Sequence, residues 1–336
     1  MIRIALDAMG GDGAPAPELD GAVLALREFP DIQLVVVGRE DVLNAHLARH
    51  ADIDPERLRV VHAPDIIGMD ERPLAAVRKK PRSSLVVSME LQRTGAVDAF
   101  VSAGNTGASL AAATIMLGLH DGVDRAAVAS PFPTADGVVL VIDAGANVDC
   151  TSKELVNFAR LGSIYMRDVM GRPDPAVGLL NVGEEDEKGG ALVRETHRAL
   201  RQQPRIRYIG NVEGRDIVVA HPRHGQVDVV VCDGFTGNVV LKFYESMGPL
   251  VTSILRRQDA ALLQSPEFLP LLRFLDVAEY GGGPLLGVRG VVIIAHGSST
   301  ANAIKSAIRR AVHSVRNDLS AHIAAEMAVL EAAPAR

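Results

Sequence analysis

The chain predicts an α/β protein with a parallel sheet covered by helices on both faces. Three observations carry this. Short apolar runs, such as 32–38 with its Leu34-Val35-Val36-Val37, alternate with segments of helical spacing. Several of these runs end in Gly, Asn, Ser or Thr just before a helix, the edge at which open α/β sheets bind ligands. The 336 residues are 48% hydrophobic, enough for a substantial core. A net charge of −6, 4% aromatics and no Trp argue against nucleic acid as a partner. Cys150 and Cys232 have neither metal-ligand nor disulfide spacing, which fits a reducing cytoplasm.

A strand over 2–6 opens the chain, so no signal peptide is expected, and Asp7 stands at its carboxyl end. Met9-Gly10-Gly11-Asp12-Gly13 follows. Gly11, Gly13 and Ala16 satisfy a GxGxxA pattern, but Pro15 and Pro17 crowd the helix start and Asp7 and Asp12 would repel a pyrophosphate, so no dinucleotide is expected. A helix over 18–27, a strand over 32–38, a helix over 41–49 and a strand over 58–62 come next. Residues 70–82 carry Arg72, Arg78, Lys79, Lys80 and Arg82, a solvated basic face able to receive an acidic partner. A helix over 83–94 ends at Gly95.

Residues 97–101 form a strand end leading into Ser102-Ala103-Gly104-Asn105-Thr106-Gly107 and a buried helix over 109–117. Gly104 and Gly107 allow a tight turn and a close ligand. Asn105 or Thr106 can cap the helix, whose N–H groups form an anion site. No Asp, Glu, Lys or Arg occurs from Ala99 to His120, but the polar turn inside this stretch favours a buried helix over a membrane span.

Strands over 126–130 and 138–142 lead to Asp143-Ala144-Gly145-Ala146-Asn147, then a helix over 153–169. A strand over 176–180 runs into the loop 181–190. Three acids of its run 184–187 are expected in the first turn of the next helix, and Lys188 stands apart from them. A strand over 205–209 precedes 210–216. A strand over 227–232 precedes Asp233-Gly234-Phe235-Thr236-Gly237-Asn238, which repeats the logic of 102–107. The last strand, 291–295, ends in His296-Gly297-Ser298-Ser299 before C-terminal helices over about 299–331. There is no P-loop.

A helical excursion is expected over about 243–277. Phe243, Met247, Leu250 and Ile254 form an apolar stripe, widened by Tyr244, Val251 and Leu255 and followed by Arg256 and Arg257. A break at Ser265-Pro266 is expected to start a second helix, with an apolar 268–275 too short to span a bilayer and suited to a membrane surface, a partner subunit or a lid on an acyl chain.

Taken together, these blocks resemble the bacterial acyl-(acyl carrier protein):phosphate acyltransferase family of phospholipid synthesis. They are DAMGGD at 7–12, SAGNTGA at 102–108, DAGAN at 143–147, NVGEE with Lys188-Gly189, GNVEGRD at 210–216, DGFTGN at 233–238, EYGGGPLLGV at 279–288 and AHGSS at 295–299. Departures are Gly283 where Ala is usual, Gly190 where Asn is usual, and Pro81-Arg82 within the basic segment. The resemblance implies a single domain over 1–336, a three-layer α/β/α Rossmann-like sandwich similar to phosphotransacetylases and decarboxylating isocitrate dehydrogenases, and a homodimer. It implies acyl carrier protein and inorganic phosphate as partners, and no metal or nucleotide cofactor. The insoluble long-chain product implies a cytoplasmic enzyme at the membrane surface, feeding a membrane acyltransferase that uses acyl phosphate.

Phosphate is itself a nucleophile, so the reaction needs no Ser–His–Asp triad, and none is legible. Lys188, Asn238 and His296 are the expected catalytic residues. Lys188 and Asn238 orient phosphate or stabilise the thioester oxyanion, and His296 protonates the leaving thiolate. Phosphate and substrate binding is expected from Asp7, Gly10, Gly11, Asp12, Ser102, Gly104, Asn105, Thr106, Asn147, Asp233, Gly237, Gly297 and Ser298, with helix starts at 105–106 and 298–299 holding the anion. Cys232, inside a buried strand, is not expected to carry the acyl group. The rival readings are a phosphotransacylase using acyl-coenzyme A and a non-catalytic lipid or carrier-protein scaffold.

Overall fold

The computed structural model describes residues 1–50, 52–134, 137–219, 225–275 and 281–331. The chain divides into two compact units, Met1–Ala126 with Gly281–Arg336, and Ala127–Tyr280. The first unit runs β1 (Ile2–Asp7), α1 (Ala16–Glu28), β2 (Ile32–Gly38), α2 (Glu40–Leu47), β3 (Leu58–His62), α3 (Pro73–Lys79), α4 (Ser84–Arg93), β4 (Ala99–Ser102) and α5 (Thr106–Met116). The second runs β5 (Ala127–Thr134), β6 (Gly137–Ile142), α6 (Ser152–Asp168), β7 (Ala176–Leu180), α7 (Ala191–Leu200), β8 (Arg207–Val212), β9 (Val229–Val231), α8 (Gly234–Gln258) and α9 (Leu269–Leu275). The chain then returns to the first unit with β10 (Gly283–Leu286), β11 (Val291–Ile294), α10 (Ala301–Arg316) and α11 (Leu319–Glu331).

In the first unit the strands lie in the order β3-β2-β1-β4-β11-β10. All neighbours pair in parallel except β10 with β11. Alternate strand residues point to opposite faces. Ile4, Leu6, Leu34, Val36, Val101 and Ile293 pack with Leu19 and Leu26 of α1 and Ile304, Ile308 and Val312 of α10. Ala5, Val35 and Val37 face the other way, against Val87 and Leu91 of α4. Gly21 lets α1 cross α10 closely, since a Cβ there would sit 2.6 Å from Ile304 Cβ.

The second unit orders its strands β5-β6-β9-β7-β8, with only β5 and β6 antiparallel. Val139, Val141, Val230 and Cys232 pack with Tyr244, Val240 and Leu241 of α8. Gly162 of α6 approaches Val229 and Ile142 so closely that a Cβ would sit 2.7 Å from Val229 Cγ1. Each unit therefore has helices on both faces of its strands. A full capping box, Thr151 with Glu154, starts α6.

Several expectations are corrected here. The sheets are mixed, because β5–β6 and β10–β11 are antiparallel pairs, a feature that the βα alternation does not reveal. The basic segment 70–82 contains the helix α3, and Lys80 is tied down by Glu71 and the Ile66 carbonyl. The acids 184–187 precede α7, whose first turn holds no acid. No helix starts at 298–299; α10 begins at Ala301, capped by the Thr300 hydroxyl. The excursion is longer than expected at its start, since α8 runs unbroken from Gly234 through Pro249. Tyr244 leaves the exposed stripe: it is buried edge-on against Phe132, with ring centroids 5.1 Å apart. Its second helix starts at Leu269 rather than at Pro266.

Candidate active-site loops

Parallel pairing puts the carboxyl ends of β1, β4 and β11 side by side, so the loops 8–13, 103–105 and 295–299 emerge along one edge. Asp7 organises them from beneath. It is 1% exposed and accepts hydrogen bonds from the Ser102 hydroxyl at 2.8 Å and the Met9 N–H at 3.3 Å. The Ser102 oxygen in turn accepts from the Gly104 N–H at 3.0 Å. Gly10 and Gly104 lie backbone to backbone; a Cβ on Gly10 would fall 2.8 Å from Gly104 Cα. The Asp12 N–H donates to the Gly297 carbonyl at 2.8 Å, tying the first loop to the last. Asn105 caps α5 through the Ala108 N–H, while its amide donates to the carbonyls of Gly68, Met69 and Glu71.

Asp7, Ser102 and Asn105 are thus buried and committed to holding the loops, and the groups facing outward are Asp12, Thr106, His296 and Ser298. The Ser298 N–H donates to His296 Nδ1 at 3.2 Å, and the Ser298 hydroxyl lies 2.8 Å from the same nitrogen. A nitrogen that accepts an amide proton is itself unprotonated, so the neutral ring carries its proton on Nε2.

Glu18 belongs to this cluster and is missing from the sequence reading. Its Oε1 accepts from the Gly11 N–H at 3.2 Å, and its Oε2 is buried with no hydrogen-bond partner among the described residues. Burial pushes this carboxyl up to about 7, and the nearby Asp7 and Asp12 push the same way. A one-residue difference in helix phase separates an exposed acid from a buried one, so the pattern PELDGA gives no signal for it.

In the second unit β6, β9, β7 and β8 are parallel neighbours, and their carboxyl-end loops share an edge in the same way. Asp143 plays the part of Asp7. It is fully buried and accepts from the N–H groups of Val128, Gly145, Ala146 and Asn147 and from the Asn147 amide. Burial raises its carboxyl above the usual range, and these donors oppose the shift. Gly237 fits because a Cβ would run into the Asp143 carbonyl. Asp233 caps α8, accepting from the Thr236 N–H at 2.8 Å and its hydroxyl at 2.9 Å. Asp233, Gly237 and Asn147 are therefore framework. Asn238, on the exposed side of the same turn, lies over Gly145.

Lys188 sits in an acidic loop, two of whose four acids are paired from elsewhere. Asp186 pairs with Arg201 at 2.8 Å and His197 at 3.2 Å, and Glu184 with Arg215 at 3.6 Å. The loop is held by Asn211, which donates to the Glu185 carbonyl, and by Asn181, which donates to the Lys188 carbonyl. The Lys188 ammonium is exposed and makes no ion pair among the described residues. Neither thiol is a nucleophile at neutral pH: burial raises Cys150 to about 11 and Cys232 well above the usual thiol range.

The fold is that of the phosphotransacetylases: the solved enzyme from Streptococcus pyogenes superposes with a TM-score of 0.65 at 16% identity, covering 94% of each chain. The one from Staphylococcus aureus gives 0.63 at 15%, again over 94% of each. A family model described as fatty acid synthesis protein matches residues 2–322. The phosphate acyltransferase of Heliobacterium modesticaldum is 46% identical over 330 residues, 96% of either chain. That of a Geobacter species is 48% identical over 316 residues, 92% of this chain and 88% of its own. The chain belongs to this family of phosphate acyltransferases.

The buried Glu18 has a consequence for stability. Its folded-state value is raised, so the folded protein holds a proton that the unfolded chain releases, and stability falls as pH rises from about 4.5 to 7. The difference in unfolding free energy between Glu18→Gln and wild type should grow by roughly 3 kcal/mol across this interval and then level off. Denaturant melts from pH 4.5 to 8 check this; a difference that stays flat would mean that the carboxyl is not buried.

Proposed function

We propose that the chain transfers a long-chain fatty acyl group from acyl-(acyl carrier protein) to inorganic phosphate, giving acyl phosphate for phospholipid synthesis. The observation that carries this reading is the full-length match to phosphate acyltransferases. The side chains support it: the first unit turns Thr106, His296 and Ser298 outward, the second unit Lys188 and Asn238, all able to meet an anion, and neither thiol is an activated nucleophile.

A phosphate oxygen attacks the thioester carbonyl carbon. The new C–O bond forms as the carbonyl becomes an oxyanion; collapse then breaks the C–S bond. The proton carried by hydrogen phosphate ends on the sulfur, so acyl phosphate and free thiol leave in balance. In the first unit we assign phosphate binding to the loop 9–13, the start of α5 and the turn 296–298; in the second unit, taken by itself, Lys188 and Asn238 are the groups able to orient phosphate or stabilise an oxyanion. His296, neutral at the start, takes the proton of hydrogen phosphate to become imidazolium and passes one ring proton to the departing thiolate, so the ring ends neutral again.

The carrier protein is assigned to a basic surface: Arg72, Arg78, Lys79 and Arg82 are exposed beside the apolar Met69 and Leu74. Asn105 ties this segment to the start of α5, and Met69 Cε reaches Gly297, so the surface adjoins the proposed phosphate loops. Lys80 is withdrawn from it by Glu71. Arg256 and Arg257 at the end of α8 form the other basic candidate.

The product's long chain is assigned to a membrane surface reached through α8 and α9. Phe235, Val239, Phe243, Leu250 and Ile254 are exposed on α8, with Phe243 at 70%, and Leu269 and Leu271 are exposed on α9. No helix among the described residues is long and apolar enough to cross a membrane. An apolar stripe of this size also suits a second copy of the chain, the other proposed partner.

Purified protein should consume acylated carrier protein only when phosphate is present, and should prefer it to acyl-coenzyme A; phosphate-independent loss or a coenzyme A preference would overturn the reading. Lys188→Ala and Asn238→Ala should each lower turnover about 100- to 1000-fold with little change in melting temperature. Near-normal turnover in both would remove them from the chemistry. The KM for acylated carrier should rise between 0.05 and 0.3 M salt, and charge reversal at Arg78 and Lys79 should abolish that rise, because charges are screened over about 10 Å at 0.1 M. Phe243→Glu with Leu271→Glu should lose flotation with anionic vesicles while the oligomeric state is kept; loss of the oligomer instead would assign the stripe to a second copy.

A further inference from the structure

Away from the loops, α1 and the end of α2 bring three metal-binding side chains together. His46 lies in the last turn of α2, and the backbone keeps turning beyond it: the Ala48 N–H donates to the Asn44 carbonyl and the His50 N–H to the Leu47 carbonyl. Residues 46 and 50 therefore project from one side. Asp20, on α1, faces both rings. Its Oδ1 lies 2.8 Å from His46 Nε2 and 3.4 Å from His50 Nε2, so one carboxylate oxygen answers two imidazoles. The two ring centroids are 5.9 Å apart and tilted by 35°. All three donor atoms lie within 4.8 Å of one another.

We infer that Asp20, His46 and His50 form a site for a divalent transition-metal ion, with Zn²⁺ as the best fit. Bonds of about 2.0–2.1 Å at tetrahedral angles place ligand atoms about 3.4 Å apart. The Asp20–His50 pair already has that spacing, and the Asp20–His46 pair reaches it by opening about half an ångström. Two imidazole nitrogens and one carboxylate oxygen suit zinc, whereas Mg²⁺ and Ca²⁺ want oxygen throughout. The side chains of His46 and His50 are 12% and 23% exposed and that of Asp20 is 45%, so the donors are held in place yet open to solvent, leaving the fourth position to water. On binding, each Nε2 lone pair turns to the metal and the ring proton resides on Nδ1; no redox change or further reactant is involved. The ion would staple α1, which begins directly after the loop 9–13, to α2.

The test is isothermal titration of the chelator-stripped full chain with ZnCl₂ at pH 7.5, with MgCl₂ as a parallel arm. One Zn²⁺ per chain and no Mg²⁺ are expected, with a rise in melting temperature. Asp20→Asn and the double variant His46→Ala/His50→Ala should each weaken zinc binding at least tenfold, since loss of an outer-shell partner alone costs about 10–100-fold. The double variant should keep its zinc-free acyl-transfer rate and circular dichroism spectrum. No stoichiometric zinc binding, or equal binding by wild type and both variants, would overturn the site. Should the double variant fail to fold, the Asp20→Asn chain decides the question.

Discussion

A buried carboxylate in each unit, Asp7 in the first and Asp143 in the second, holds that unit's strand-end loops together. Asp7 and Asp143 each stand at the carboxyl end of a parallel strand, where the chain must leave the sheet and the backbone loses its ladder partners. Burying a carboxylate is unfavourable unless hydrogen-bond donors surround it. Here the donors come from the loops and from neighbouring strands: Met9, and Ser102 at the end of β4, around Asp7, and Gly145, Ala146, Asn147 and Val128 of β5 around Asp143. The loops are thereby fixed from below, and their remaining polar groups are left facing outward. The close glycines follow from the same demand. Gly10 against Gly104, and Gly237 against the Asp143 carbonyl, let backbones approach until the carboxylates are enclosed.

This division of labour explains what the sequence reveals and what it hides. The strands were legible because buried parallel strands are continuous apolar runs, and β2 and β7 fall where 32–38 and 176–180 are expected. The cap at Asn105 was legible too, as one of two candidates with Thr106, because short polar side chains before a helix satisfy its first N–H groups, whereas the cap at Asp233 was not read. Spacing alone does not separate a polar residue turned outward from one whose polar atoms hold the loop. Asp7, Ser102 and Asp233 look like site residues from their spacing, yet their polar atoms are occupied by the protein. Glu18 is the converse: one acid among several near a helix start, it is buried because α1 turns that face onto the Gly-rich loop. Antiparallel β5–β6 and β10–β11 escaped because a buried antiparallel strand reads like a parallel one.

Charge placement follows a comparable economy. The chain carries a net charge of −6 and its proposed substrates are anionic, so a cation offered to them must first escape its own acids. In the loop 181–190 two of the acids receive counter-charges from elsewhere: Arg201 engages Asp186, and Arg215 engages Glu184. Lys188 follows these acids in sequence but is not needed to neutralise them. The same logic separates Lys80 from its neighbours in α3. Lys80 is held by Glu71 and a backbone carbonyl, while Arg78 and Lys79 remain on the surface. A run of like charges therefore contains both structural and available members, and only the partners distinguish them.

The helix α8 joins the two levels of the proposal in one rigid element. Its first turn is set by the Asp233 cap and by the contact of Gly237 with the Asp143 carbonyl, which fixes where Asn238 stands. The same helix then carries Phe243, Leu250 and Ile254 outward, and Ile254 lies about 24 Å along the axis from Asn238 at 1.5 Å per residue. Tyr244 and Phe132 pin its middle to the strands, so the buried face sets the rotation of the exposed one. Asn238 and the apolar stripe thus share one helix phase. Turning α8 to bury the stripe would bring Tyr244 out of the core and move Asn238 off Gly145, so the exposure of these apolar side chains and the place of the amide are set together.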